Sequence, residues 1–141
     1  MGNISSEEVR ITGIILDEVG QPRNDGTPGS GLYEVPFQLS QAPGEDWSIA
    51  FIDAWNSPPE FTSMHRPGIA RVEGDRIILD GTTIEEVERW HLRTLKLCVQ
   101  QANQSVTRFI AEESERERSR NDSSKRHHKH IEEVARRLKF D

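Results

Sequence analysis

From Thr83 onward the chain carries one helical pattern that is amphipathic to about Ile110 and then almost purely charged through Glu112, Glu113, Ser114, Glu115, Arg116, Glu117 and Arg118. A helix of that extent is on the order of 50 Å long, whereas strands of ordinary length offer roughly 20 Å to pack against. Part of it is therefore expected to project, and any fold for this chain has to accommodate a helix longer than its own core. Thr82 and Thr83 stand three residues before Glu85 and Glu86, two overlapping capping boxes that start the helix. Its expected buried stripe is Ile84, Val87, His91, Leu95, Cys98, Ala102, Val106 and Phe109, widened by Trp90, Leu92, Val99 and Ile110. Asn121, Asp122, Ser123 and Ser124 prefer turns and caps, so the pattern is expected to break there. A short amphipathic helix then follows within Lys125 to Phe140, with Ile131, Val134, Ala135 and Leu138 on a narrow apolar face.

Ahead of the helix, the periodicity changes from helical to alternating. Val9 to Leu16 reads as a first strand with Val9, Ile11 and Ile15 on one face, and Tyr33, Val35, Phe37 and Leu39 alternate with polar residues in a second. Pro36 lacks an amide donor, which predicts an edge strand or a bulge. Residues 17 to 31, rich in Gly, Pro, Asn and Asp, form a loop expected to be flexible. Gly29-Ser30-Gly31 resembles a phosphate-binding run only superficially, because it leads into a strand rather than a helix N-terminus. Trp47, Ala50, Phe51, Ala54 and Trp55 fall at helical spacing and Pro58-Pro59 stops that helix. Ile69 to Asp80 reads as a hairpin turning at Gly74-Asp75, with Glu73 facing and ion-pairing Arg76, Val72 facing Ile77 and Ala70 facing Leu79. The order ββαββαα, without repeated βα units, predicts an α+β fold: a four-stranded antiparallel sheet with helices on one face and a long C-terminal helix extending into a charged arm. Residues 1 to 110 make the body, and 111 to 141 the arm ending in the short amphipathic helix.

The body is acidic, with 16 Asp and Glu against 9 Lys and Arg, while the arm holds 8 against 9, so the two parts differ in the partners they attract. Between 116 and 139 the basic residues outnumber the acidic ones and His127, His128 and His130 join them. A nucleic-acid partner for this basic, His-rich tail is an alternative reading; the acidic body and the lack of aromatics interleaved with the basic residues weigh against it. Cys98, the single cysteine, excludes an internal disulfide and reads as a small buried hydrophobe. No stretch has the apolar length of a membrane span, and the start has no basic region followed by an apolar run, so no membrane association and a cytoplasmic location are expected. Met1-Gly2 with Ser6 matches the permissive minimal myristoylation pattern.

Candidate chemistry is sparse. His65 and Arg66, in a loop between helix and hairpin, are the candidate anion-binding pair, able to meet a phosphate or carboxylate. Together with His91 they centre the alternative reading of a small enzyme or anionic-ligand domain, although His91 is expected to be a hydrogen-bonded core histidine. His127 and His130 have the spacing of a metal-ligand pair, but two ligands do not close a site, and neither metal nor cofactor is expected. No nucleophile-elbow, zincin, Walker or paired-carboxylate motif occurs, and no catalytic residue is assigned. The favoured reading is a non-enzymatic interaction or accessory protein that joins a protein partner or its own copies as a homo-oligomer. Ile131, Val134, Leu138 and Phe140 are the expected partner-binding residues, because so narrow and short an apolar face needs another surface to hold it in water.

Overall fold

The computed structural model describes residues 8–140. The chain divides between Val106 and Thr107 into two compact units.

The first unit is an antiparallel sheet of β1 (Ile11–Ile14), β2 (Tyr33–Leu39), β3 (Ala70–Glu73) and β4 (Arg76–Thr82) in the order β1-β2-β4-β3. With α1 (Glu45–Asn56) and the start of the long helix it makes the expected α+β fold. The hairpin has the predicted register, Glu73 opposite Arg76, Val72 opposite Ile77 and Ala70 opposite Leu79. Gly74 takes φ 58°, and a positive φ at the first central residue alone is the pattern of a type II′ turn. The predicted Glu73–Arg76 ion pair is replaced: Arg71 reaches Glu73 on its own strand, and Arg76 reaches Glu18 beyond the sheet. Register brings Cβ atoms opposite; a long guanidinium stem selects its carboxylate from a wider circle.

Two strand expectations need correction. β2 lies between β1 and β4 and is not an edge. The Pro36 carbonyl accepts from Ile15 N at 3.0 Å, so its donorless nitrogen points to the same side, toward the β1 edge just past the end of that strand, and no bond to β4 is lost. β1 is shorter than Val9 to Leu16. A bulge at Thr12 shifts its register on β2, which turns Ile11 and Ile14, three residues apart, onto the same core. Leu16 is exposed in a 3₁₀ turn, Leu16–Glu18. The following loop is held by Gly20 N to Glu34 O at 2.8 Å and Asn24 N to Ser30 O at 3.0 Å.

The core joins one sheet face to two helices. Val35, Phe37, Leu39, Ile77 and Leu79 meet Trp47, Phe51, Ala54 and Trp55 of α1, and Leu95, Cys98, Val99 and Ala102 complete the layer. Trp47 stacks on Phe51 with centroids 5.4 Å apart. Asn103 makes three hydrogen bonds to two other segments: its Oδ1 accepts from Trp47 Nε1 at 2.8 Å and Val9 N at 3.0 Å, and its Nδ2 donates to Val9 O at 3.0 Å.

The long helix starts at Thr83, one of the two expected capping threonines, whereas Thr82 turns its hydroxyl to the Glu86 side chain instead of capping. Thr83 is the N-cap, its Oγ1 accepting from Glu86 N at 3.1 Å, and Tyr33 Oη accepts from Ile84 N at 2.9 Å, so two of the orphan donors of the first turn are satisfied. After α2 (Ile84–Glu86) the backbone widens into a π-turn over Val87–His91 before α3 (Leu92–Arg137) begins. The stripe differs from expectation at both ends: Ile84, Leu92, Phe109 and Ile110 are exposed, Thr94 is buried, and the last residue on the core is Val106.

In the second unit the predicted break at Asn121–Ser124 does not occur, and helix runs through it to Arg137. The propensity cost of Asn, Asp and Ser is only a few tenths of a kcal/mol each. Around them, Glu113–Arg116 at 2.9 Å, Glu115–Arg118 at 2.5 Å and Glu132–His128 at 2.8 Å link successive turns. The expected separate last helix is thus the end of the same helix, and Leu138 and Phe140 lie past its terminus, with Leu138 N still bonded to Ala135 O at 3.2 Å.

Candidate functional site

In the first unit the fold gathers the residues that carry chemistry, although they are far apart in sequence. Arg66, in the loop after α1, puts NH2 2.6 Å from Glu86 Oε2, and Thr82 Oγ1 donates to Glu86 Oε1 at 2.9 Å. The π-turn brings His91 to the same carboxylate, Nε2 lying 3.6 Å from Oε1, beyond hydrogen-bonding length. His65 Nε2 meets the Trp55 carbonyl at 2.7 Å, and Trp55 Nε1 donates to the Arg66 carbonyl at 2.9 Å. The Trp55 ring lies between the two imidazoles, its centroid 4.6 Å from that of His65 and 5.7 Å from that of His91.

His91 is a core histidine, as its place on the stripe predicts, with a side chain 0% exposed; neither of its ring nitrogens has a hydrogen-bond partner, contrary to the expected hydrogen-bonded state. Burial holds its pKa below the ordinary value, the Glu86 charge opposes that, and His65 and Arg66 add to the lowering. For Glu86, burial alone would raise the pKa, but the hydrogen bonds from Arg66 and Thr82 outweigh it and the carboxyl lies below its ordinary value. His65 Nδ1, Arg66 Nε and Thr62 Oγ1 are likewise buried without partners. Such a concentration of unpaired polar atoms beside a π-turn is the combination found at functional sites.

What this cluster can do is limited by its internal pairing. The positive charge of Arg66, one half of the candidate anion-binding pair, already faces the Glu86 carboxylate, so an incoming phosphate or carboxylate has to compete with a tethered one. A groove of about 400 Å³ lies nearby, between Ile14 and Phe37 of the sheet and Ile84, Val87 and Leu92, but His65, Arg66 and His91 do not line it. Among the described residues no group of three or more His, Cys, Asp or Glu is placed to hold a metal ion, and no helix is long and apolar enough to cross a membrane. Cys98 is buried and its pKa is pushed up to about 12 by burial. It should be inert to thiol reagents in the native protein and react only with denaturant present; stoichiometric labelling of the native protein would contradict the packing around it.

The expected partner-binding residues occupy the second unit. Ile131 is 49% exposed, Leu138 53% and Phe140 89%, while Val134 is half-buried between its neighbours on the helix. From Thr107 to Phe140 every other residue is exposed. The Met1-Gly2 and Ser6 pattern lies outside the described residues. Compared with known proteins, the chain matches no family model, no curated protein and no solved structure.

Proposed function

We propose that this is a non-enzymatic interaction protein that associates with itself or with a larger protein partner through its C-terminal helix. The observation that carries this reading is the second unit: a helix continuing to Arg137 whose residues beyond Val106 find almost no burial, yet which carries exposed Ile131 and is followed by exposed Leu138 and Phe140. Isolated helices in water gain little from propensity and exposed ion pairs alone, and most helical stability in proteins comes from packing an apolar face. A surface supplied by another molecule provides that packing. The Arg66–Glu86 ion pair, which leaves the guanidinium charge already matched, supports a structural role for the first unit, as the body that carries the helix.

Replacing Ile131 and Leu138 together with Asp tests the reading. Association measured by sedimentation should be lost, while the melting temperature of the first unit stays in place. A variant that melts far below the wild type would show instead that these side chains belong to the chain's own core, and the reading would fail.

A further inference from the structure

We infer that the first unit has a docking surface of its own: a furrow along residues 84 to 100 that takes one amphipathic helix of a protein partner, acidic in its first turns and basic in its last, laid antiparallel. Two grooves adjoin there. The groove of about 400 Å³ beside Phe37 and Ile84 has Glu85 and Glu88 as the charged residues of its lining. The next, of about 420 Å³, shares Glu88 and Leu92 with it and continues past Arg89, Arg93 and Lys96 to Gln100. At 1.5 Å per residue the furrow is roughly 24 Å long. Leu92, which lines both grooves, is 37% exposed and Ile84 36%, so its floor is apolar and open to another molecule.

The charge of this furrow is ordered. Through residues 84 to 100 every carboxylate, Glu85, Glu86 and Glu88, precedes every cation, Arg89, Arg93 and Lys96. Glu86 is paired with Arg66 outside the furrow, and Arg93 with Glu60 at 3.0 Å, while Arg89 lies over the Trp90 ring at 5.2 Å. Three cations against the one carboxylate of Glu60 leave the later half positive, opposite the two exposed carboxylates of the first half. Glu85, Glu88 and Lys96 have no ion-pair partner among the described residues, so their charges are available to an occupant. The walls select its form. From Glu88 to Gln100 they belong to the helix, whose backbone groups are bonded within it, so an extended strand laid there would lose its hydration without replacement. A helix satisfies its own backbone and offers an apolar stripe to Ile84 and Leu92. Antiparallel, it sets its basic end on Glu85 and Glu88 and its acidic end on Arg89 and Lys96, the order of charge that its own dipole favours.

Two fluorescent Ala-based peptide helices of about 18 residues, with one Leu stripe and the same composition, test this against the full chain. In one, Glu fills the first turns and Lys the last; in the other, Glu and Lys are interleaved. By anisotropy the first should bind in the micromolar range, more weakly as salt rises, and the second roughly tenfold less tightly. Leu92→Gln, at an exposed position, should abolish binding without moving the melting temperature. A nitroxide on the first residue of the bound peptide should broaden the amide signals of Lys96 to Gln100, and one on its last residue those of Ile84 to Glu88. Equal affinity for the two peptides overturns the proposal, as does no binding at high micromolar concentration or the opposite pattern of broadening. So does self-association of the wild type that Leu92→Gln removes, since the furrow would then be covered by a second copy. The inference is independent of the attachment reading: the Ile131 and Leu138 double variant should bind the peptide as the wild type does.

Discussion

Trp55→Ala costs the folded protein about 3 to 5 kcal/mol, enough to unfold a domain of ordinary stability at moderate temperature. The ring is fully buried and fills the space between α1 and the cluster of His65 and His91. Truncation removes this packing and leaves a cavity that the sheet and two helices, joined on several sides, collapse into only partly. It also orphans the Arg66 carbonyl, which accepts the indole N–H at 2.9 Å. Trp55→Phe separates the two contributions: an aromatic ring is retained, the hydrogen bond is lost, and the cost should fall to about 1 to 3 kcal/mol. Chemical denaturation of both variants measures them. A Trp55→Ala protein within experimental error of the wild type would mean that α1 does not dock as described.

The second large effect is on acid stability. Unfolded, His91 takes up a proton near its ordinary pKa of 6.5; folded, it does so only at lower pH, because burial excludes the charged ring. Between those values the unfolded chain binds more protons, so stability rises with pH there and is lost as pH falls from about 6.5 through the folded value. Glu86, whose carboxyl also lies below its ordinary value of 4.5, adds a further loss at more acid pH, once the charge that pairs with Arg66 is neutralised. The melting temperature should therefore hold steady above neutrality and fall as the pH drops below about 6.5. His91→Leu should flatten the start of that fall and leave the more acid loss in place. Glu86→Gln, which keeps the shape but removes the charge from a pair only 16% and 32% exposed, should lower stability at neutral pH by about 1 to 3 kcal/mol. A wild-type melting temperature that is level from pH 7 to 5 would contradict the placement of His91.

Much of the first unit is written in local pattern. The alternation of Val35, Phe37 and Leu39, the spacing of Trp47, Phe51 and Trp55, the Gly74-Asp75 turn and the Thr83 cap each depend on residues within a few positions of one another, and each is found where periodicity places it. The neighbours of β2 were not legible, because the missing donor of Pro36 excludes a bond only on the side to which it points, and that side depends on pairing with another strand. The π-turn has no sequence signature of its own: Val87 and His91 sit at ordinary helical spacing, and one extra residue in a turn leaves little trace in so short a window. His65 and Arg66 stand out in sequence as a loop pair, but the carboxylate that neutralises Arg66 is twenty residues away and has the position of a capping-box residue. In the second unit, Asn121 to Ser124 look like a stop because weak helix formers signal one at a terminus, while flanking turns linked by ion pairs carry the helix through.

Asn103 has a consequence for how the molecule is made. Its amide holds Val9 and Trp47, contacts that span 94 and 56 positions of chain, so the segment leading into β1 and the start of α1 are tied to nearly the last residues of the first unit. During synthesis the sheet strands and α1 leave the ribosome before the helix that completes their core, and they wait with apolar faces uncovered until residue 103 has emerged. A nascent chain stalled before that point offers chaperones an open sheet.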